Sequence, residues 1–205
     1  MEILWIALYV ALSFLIGSIP FSLLLVRLVK HKDVRAYGDG NPGAYNAWMS
    51  GGWQVGIFAA ALDVSKGFFP AYFAQAAGIE SWSLLIIALA PILGHIFSPF
   101  LHRHGGKGIA TSLGVWLALG GLPAIVAFAL LTISSMLIID DHAWNVMFGM
   151  VGLIAFSIFY HKALWFGVAV MINLVLLIYS HRRELSQPIA FRSRLRDAIV
   201  RRRNS

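Results

Sequence analysis

Cysteine is absent from this 205-residue chain, which excludes disulfides, a thiol nucleophile and thiolate metal sites. Charge is scarce as well. Asp, Glu, Lys and Arg make up 12% of residues, where an average soluble domain carries about a quarter. Acid is the scarcer sign, with nine Asp and Glu against sixteen Lys and Arg. The scattered histidines (His31, His102, His104, His142, His161) share no metal-ligand spacing on one helix, so neither a metal nor any other cofactor is expected. What fills the chain is apolar: 59% of residues are hydrophobic and the mean hydropathy is +0.77. This is the composition of an all-α integral membrane protein. A net charge of +7 could point to nucleic acid, but its distribution follows the loops of a multi-pass chain, so no nucleic-acid partner is expected.

Apolar runs and their breaks predict about seven transmembrane helices, near 3–27, 48–78, 82–101, 108–120, 122–139, 144–160 and 163–180. The run Ile3–Val26 carries no charge and lacks a basic leader, so it reads as a span, not a cleaved signal. As a helix it would be roughly 36 Å long, more than the ~30 Å hydrocarbon core, which predicts tilt or a break near Gly17-Ser18-Ile19-Pro20. The fourth segment is short for a span. It reads as a half-helix or as a segment inside the bundle, and a different division there lowers the count to six. An odd count places Arg27, Lys30, Lys32 and Arg35 on the same side as Arg103, Lys107 and the C-terminal arginines. The positive-inside rule then sets the N-terminus outside and the C-terminus in the cytoplasm. Residues 1–184 form the polytopic domain. Residues 185–205 form a basic cytoplasmic tail, either simply solvated or facing anionic headgroups of membrane lipids.

Four groups of residues could carry chemistry. The first is the loop Tyr37-Gly38-Asp39-Gly40-Asn41-Pro42-Gly43-Ala44-Tyr45-Asn46, too rich in special residues for a plain helix connection. Asn41 and Asn46 offer amide donors to an oxygen-rich ligand. The second is Asp63 with Lys66, three apart on one helix face within a span, where ionisable groups are costly. A structural ion pair and a ligand role for Lys66 are both open. The third is Gly94-His95-Ile96-Phe97-Ser98-Pro99 followed by His104-Gly105-Gly106-Lys107-Gly108-Ile109-Ala110-Thr111. It lacks the spacing of a nucleotide P-loop, yet its small residues, Lys107 and Thr111 suit an anion at the start of a helix. His95 is either a packing residue or a catalyst. The fourth is Tyr179-Ser180-His181-Arg182-Arg183-Glu184, where His181 could act as a general base and the arginines could simply complement a helix end.

In this order, Gly17-Ser18-Ile19-Pro20-Phe21, Gly40-Asn41-Pro42-Gly43-Ala44 with Asn46, Leu62-Asp63, Lys66-Gly67, Gly94-His95, Phe97-Ser98-Pro99-Phe100, Gly105-Gly106-Lys107-Gly108 with Ala110-Thr111, and His181-Arg182 resemble the bacterial acyl-phosphate:glycerol-3-phosphate acyltransferases. The resemblance covers residues 10 to about 184. It implies a seven-helix enzyme of the bacterial cytoplasmic (inner) membrane, with the N-terminus outside. Its substrates would be acyl phosphate and glycerol 3-phosphate, and its product lysophosphatidic acid for phospholipid biosynthesis. No metal, cofactor or acyl-enzyme is implied, and a monomer is expected. The resemblance assigns catalysis to His95, His181 and Asp39. Substrate binding would fall to Gly40, Asn41, Gly43, Asn46, Lys66, Gly105, Gly106, Lys107, Gly108, Thr111, Arg182 and Glu184. The chain departs from the family pattern at Asp39, Tyr45, Met49 and Glu184, where that pattern resembles Ser, Thr, Arg and Asn. An Arg-Tyr-Val-Ser stretch also has no counterpart near Asp140-Asp141-His142. Two added acids suit a phosphate less well, with Arg35, Arg103 and Arg182 available to offset them. The alternative reading is therefore a divergent paralogue with another acceptor, or a non-catalytic lipid- or phosphate-binding protein. A small transporter built on two glycine-rich loops ranks last.

Overall fold

The computed structural model describes residues 2–160 and 163–192. Residues 193–205, with Arg194, Arg196 and Arg201–Arg203 of the expected basic tail, lie outside the described residues, as do His161 and Lys162. The described chain is helical: α1 (Glu2–Ser18), α2 (Phe21–Lys30), α3 (Ala44–Gly51), α4 (Trp53–Ala76), α5 (Ser81–Ile96), α6 (Ile109–Met136), α7 (His142–Phe159), α8 (Leu164–Ser180) and α9 (Arg182–Leu185). One isolated β-bridge pairs Ile139 with Phe191. The chain divides into two compact units, residues 1–121 and 122–205.

In the first unit the long N-terminal run breaks where its sequence predicts. Pro20 has no N–H to continue the ladder, and Ile19 and Pro20 separate α1 from α2. Close helix packing then depends on missing side chains. A Cβ on Gly17 would meet the Pro91 carbonyl oxygen, and one on Gly94 the Phe14 carbonyl, so α1 and α5 touch backbone to backbone. Below them Leu23, Val26, Val34, Ala47, Val55, Ala59 and Leu101 form a small buried cluster that anchors the loop ahead of α3.

Two expected boundaries are corrected. The segment near 48–78 is two helices, because Gly52 sits at φ 91°, outside the helical region. The first of them starts earlier than its composition indicated, since the polar Asn46 faces inward instead of marking a loop. The segment near 82–101 ends at Ile96, and Pro99–Leu101 forms a single 3₁₀ turn. The division expected at Gly120-Gly121-Leu122-Pro123 falls inside α6, where Gly121 leaves helical geometry at φ 65°, ψ −165°.

In the second unit Asp141 caps α7 by accepting from the Ala143 N–H at 2.9 Å. Buried Asn145 accepts from the Ser135 hydroxyl at 2.8 Å and donates to the Ile139 carbonyl at 3.3 Å. Among the described residues, four stretches are long and apolar enough to cross a membrane: Ile3–Lys30, Ser81–Leu101, Ile109–Met136 and His142–Phe159. Leu164–Ser180 is apolar but shorter. The 24-residue α4 is long enough, yet it carries the Asp63 and Lys66 charges.

Candidate active site

The glycine-lysine turn is held by the end of α5. Gly105 N–H donates to the Ile96 carbonyl at 3.1 Å, and Gly106 N–H to the His95 carbonyl at 3.1 Å. These bonds satisfy carbonyls that the last turn of a helix leaves open. They also use the very amides that an anion cradle at Gly105 and Gly106 would have offered. Gly106 lies flat against the His95 ring, where a Cβ would strike Nε2. The turn therefore presents the Lys107 side chain, followed by Gly108 (φ 88°) as the lead-in to α6. Thr111 is fully buried in the first turn of α6, with Oγ1 unpaired and its carbonyl against Gly67.

Lys107 Nζ reaches Asp39 Oδ2 at 2.6 Å, and the two side chains are 23% and 43% exposed. The first loop is folded around the other oxygen of that carboxylate. Oδ1 accepts from the Asn41 N–H at 3.1 Å and from Asn46 Nδ2 at 2.8 Å, an Asx turn locked by a second amide. Asn46 Nδ2 also donates to the Asn41 carbonyl at 2.9 Å. Gly38, at φ 56°, leaves room for the Asn46 amide that a side chain would displace. Partial burial works against ionisation of Asp39, but Lys107, the Asn41 amide and Asn46 outweigh it and hold the carboxyl below its usual range.

A second cluster lies in the same unit. Asp63 and Lys66, nearly devoid of solvent contact, pair at 2.8 Å. Lys66 also donates to the Ile19 carbonyl at 2.8 Å, and Ser22 donates to Asp63 Oδ2 at 3.3 Å. His95 Nδ1 stands 3.9 Å from Asp63 Oδ1, beyond hydrogen-bond reach. Pro42, Asp63, Lys66, His95, Ser98 and Gly106 line one narrow crevice, so the surface turn and the buried pair meet there.

Arg35, a candidate to offset the added acids, is committed to Asp33 through bonds of 3.0 and 2.7 Å, with Arg27 joining at 3.2 Å. Its own hydrogen bonds to Arg35 lead the causes that hold the Asp33 carboxyl well below its usual range. Arg182 donates to the Tyr179 carbonyl at 2.8 Å and stacks on that ring at 4.4 Å. In the second unit, buried His181 ends α8 with Nδ1 2.8 Å from the Leu177 carbonyl and 3.1 Å from Ser180 Oγ. Glu184 lies one turn on, in α9.

The expected residues Asp39, Asn41, Asn46 and Lys107 are thus brought together. Lys66 and His95 form the neighbouring buried cluster, with Gly106 touching His95. Gly40 (φ 77°) lets the loop turn, and Gly43 leaves room for the Asn41 amide. Ser22 was not singled out from sequence, and Ser98, whose hydroxyl donates to the Ser18 carbonyl at 2.6 Å, stood in the third group without a role of its own. No local pattern marks Ser22, which stands between Phe21 and Leu23. The Asp33–Arg35 contact had a clearer sign, an acid two residues ahead of a base, and in the structure Asp33 caps the short 3₁₀ turn Val34–Ala36. Among the described residues no group of three or more His, Asp or Glu could hold a metal ion.

The family model for glycerol-3-phosphate acyltransferase matches residues 7–190. The glycerol-3-phosphate acyltransferase of Bordetella pertussis is 33% identical over 189 residues, covering 87% of this chain and 86% of the relative. That of Anaeromyxobacter dehalogenans is 37% identical over 190 residues, covering 87% and 90%. Among solved structures, PlsY (YgiH), an integral membrane glycerol 3-phosphate acyltransferase, matches in its glycerol 3-phosphate form with a TM-score of 0.80 at 31% identity, covering 88% of this chain and 90% of that one. Its lysophosphatidic acid form matches with a TM-score of 0.77 at 30% identity, covering 88% and 89%.

Proposed function

This chain belongs to the glycerol-3-phosphate acyltransferase family, and we propose that it moves a fatty acyl group from acyl phosphate to the 1-hydroxyl of glycerol 3-phosphate. It is an integral membrane protein, and we place it in the bacterial cytoplasmic membrane with seven spans and the N-terminus outside. The distribution of Lys and Arg supports that orientation. The hydroxyl oxygen bonds to the acyl carbon, the acyl–phosphate bond breaks, and the departing phosphate takes the hydroxyl proton. The products are lysophosphatidic acid and phosphate. An acyl phosphate is already activated, so the protein's share is to position two anions and offset their charge.

The observation that carries this reading is Lys107, raised on a turn pinned to α5 and already gripping a carboxylate at 2.6 Å. We assign it to the phosphate oxygens, with Asn41 and Asn46 shaping the facing loop and Gly105, Gly106 and Gly108 setting the turn. His95, buried against Gly106 and beside the Asp63–Lys66 pair, acts as a positioning residue for that turn. The test is direct. Purified protein given palmitoyl phosphate and labelled glycerol 3-phosphate should form lysophosphatidic acid. Folded protein that makes no product above background overturns the proposal.

A further inference from the structure

Resting on the anion-binding role given to Lys107, we propose that Asp39 is a built-in placeholder for the substrate phosphate, which must take Lys107 away from it. The two oxygens of this carboxylate do different work. Oδ1 is held by the Asn41 N–H and by Asn46 Nδ2, so it fixes the acid to its own loop. Oδ2 faces across to Lys107 and makes the 2.6 Å ion pair. The acid is thus anchored on one side and acts as bait on the other, while the lysine has a flexible four-carbon stem. The contact lies in partial contact with solvent, with Lys107 23% and Asp39 43% exposed, so an anion can approach the pair from the solvent side.

Displacement breaks the Asp39–Lys107 ion pair and leaves Asp39 in place through Oδ1. Lys107 moves, and the loop does not. A bound phosphate would then sit near a fixed negative charge, which lowers its affinity a second time and speeds its departure. Asp39 in this role sets substrate affinity and product release, and takes no part in the bond making. Its carboxylate is held by three donors, which suits a counter-ion better than a proton acceptor.

The decisive variant is Asp39→Asn, whose side-chain oxygen can still accept from the Asn41 N–H. Asp39→Ser is the second variant, since a hydroxyl keeps a weaker form of the same turn. Each is purified as the full chain in detergent micelles, and its unfolding temperature is checked. Two readouts are taken. In acyl transfer from palmitoyl phosphate, KM for glycerol 3-phosphate should fall about fivefold with kcat kept or raised, and inorganic phosphate should inhibit more strongly by a similar factor. By calorimetry, glycerol 3-phosphate should bind the folded variants about fivefold tighter than the wild type, with no donor present. KM or affinity that is unchanged or worse in the folded variants overturns the placeholder role. If the wild type shows no turnover, the acyl-transfer reading fails by itself, and the calorimetric comparison still decides whether Asp39 competes for Lys107.

Discussion

The first unit holds two lysine–aspartate pairs of nearly equal length and opposite character. Asp63–Lys66 is sealed inside the helices at 2.8 Å, and Asp39–Lys107 bridges two loops in partial contact with solvent at 2.6 Å. In water the Coulomb gain of such pairs is small and screened by salt, so a loop pair can open on demand. In a dry interior neither charge can leave its partner, because an unpaired ion there costs several kcal/mol. Burial, far more than distance, divides the pair that holds the fold from the pair that a ligand can open.

The largest expected effect comes from breaking the buried pair on one side only. Asp63→Ala strands the Lys66 ammonium and should cost about 3–5 kcal/mol of stability, read as a large drop in unfolding temperature in detergent. Next comes the loop pair. Lys107→Ala should lower kcat/KM for acyl transfer by about 100-fold while leaving the unfolding temperature close to that of the wild type. A fall in stability as large as that of Asp63→Ala would erase the contrast between the pairs.

The acidic loop partners sharpen it through pH. The Asp33 carboxyl is held below its usual value, by Arg35 first and by Arg27, so its contribution is present above the unfolded pKa and lost as pH falls through the lower folded one. The stability difference between wild type and Asp33→Asn should therefore stay constant from pH 8 to about pH 5 and shrink below about pH 4. In 1 M salt it should shrink at neutral pH too, being a surface interaction of roughly 1 kcal/mol or less. The smallest effect is expected from Asp63→Leu with Lys66→Met. Removing both buried charges should recover most of the single-variant loss and end within about 1 kcal/mol of the wild type. A double variant as unstable as Asp63→Ala alone would mean that the Lys66 bond to Ile19 matters more than the charge pairing.

Much of the fold was readable from residue types. The hydrophobic runs, Pro20 and Gly121 mark helices and breaks, because each acts locally on the backbone. The start of α3 was not readable, since Asn46 is polar in sequence but buried in the structure, where it serves the Asp39 turn. In the site, residue types marked Lys107 as a candidate for an anion and, in a separate loop, Asn41 and Asn46 as candidate amide donors, and the structure brings the three loop residues to the same carboxylate. Two things escaped. The Asp39–Lys107 contact joins loops 68 positions apart in sequence, and no local pattern encodes it. The use of the Gly105 and Gly106 amides by α5 was equally hidden, because a glycine turn offers the same donors on paper whether or not a neighbouring helix consumes them.

The break between α1 and α2 bears on how the chain is assembled. Its backbone is secured by Lys66 at the Ile19 carbonyl and by Ser98 at the Ser18 carbonyl, 47 and 80 positions later in sequence. A chain entering the membrane from its N-terminus brings these carbonyls in long before either donor exists. Until α4 and the turn after α5 arrive, the Ile19 carbonyl has only the local Phe21 N–H at 3.1 Å, and the Ser18 carbonyl awaits the Ser98 hydroxyl. The kink is therefore a joint whose side-chain donors both come from later in the chain, so its final form depends on segments that follow it.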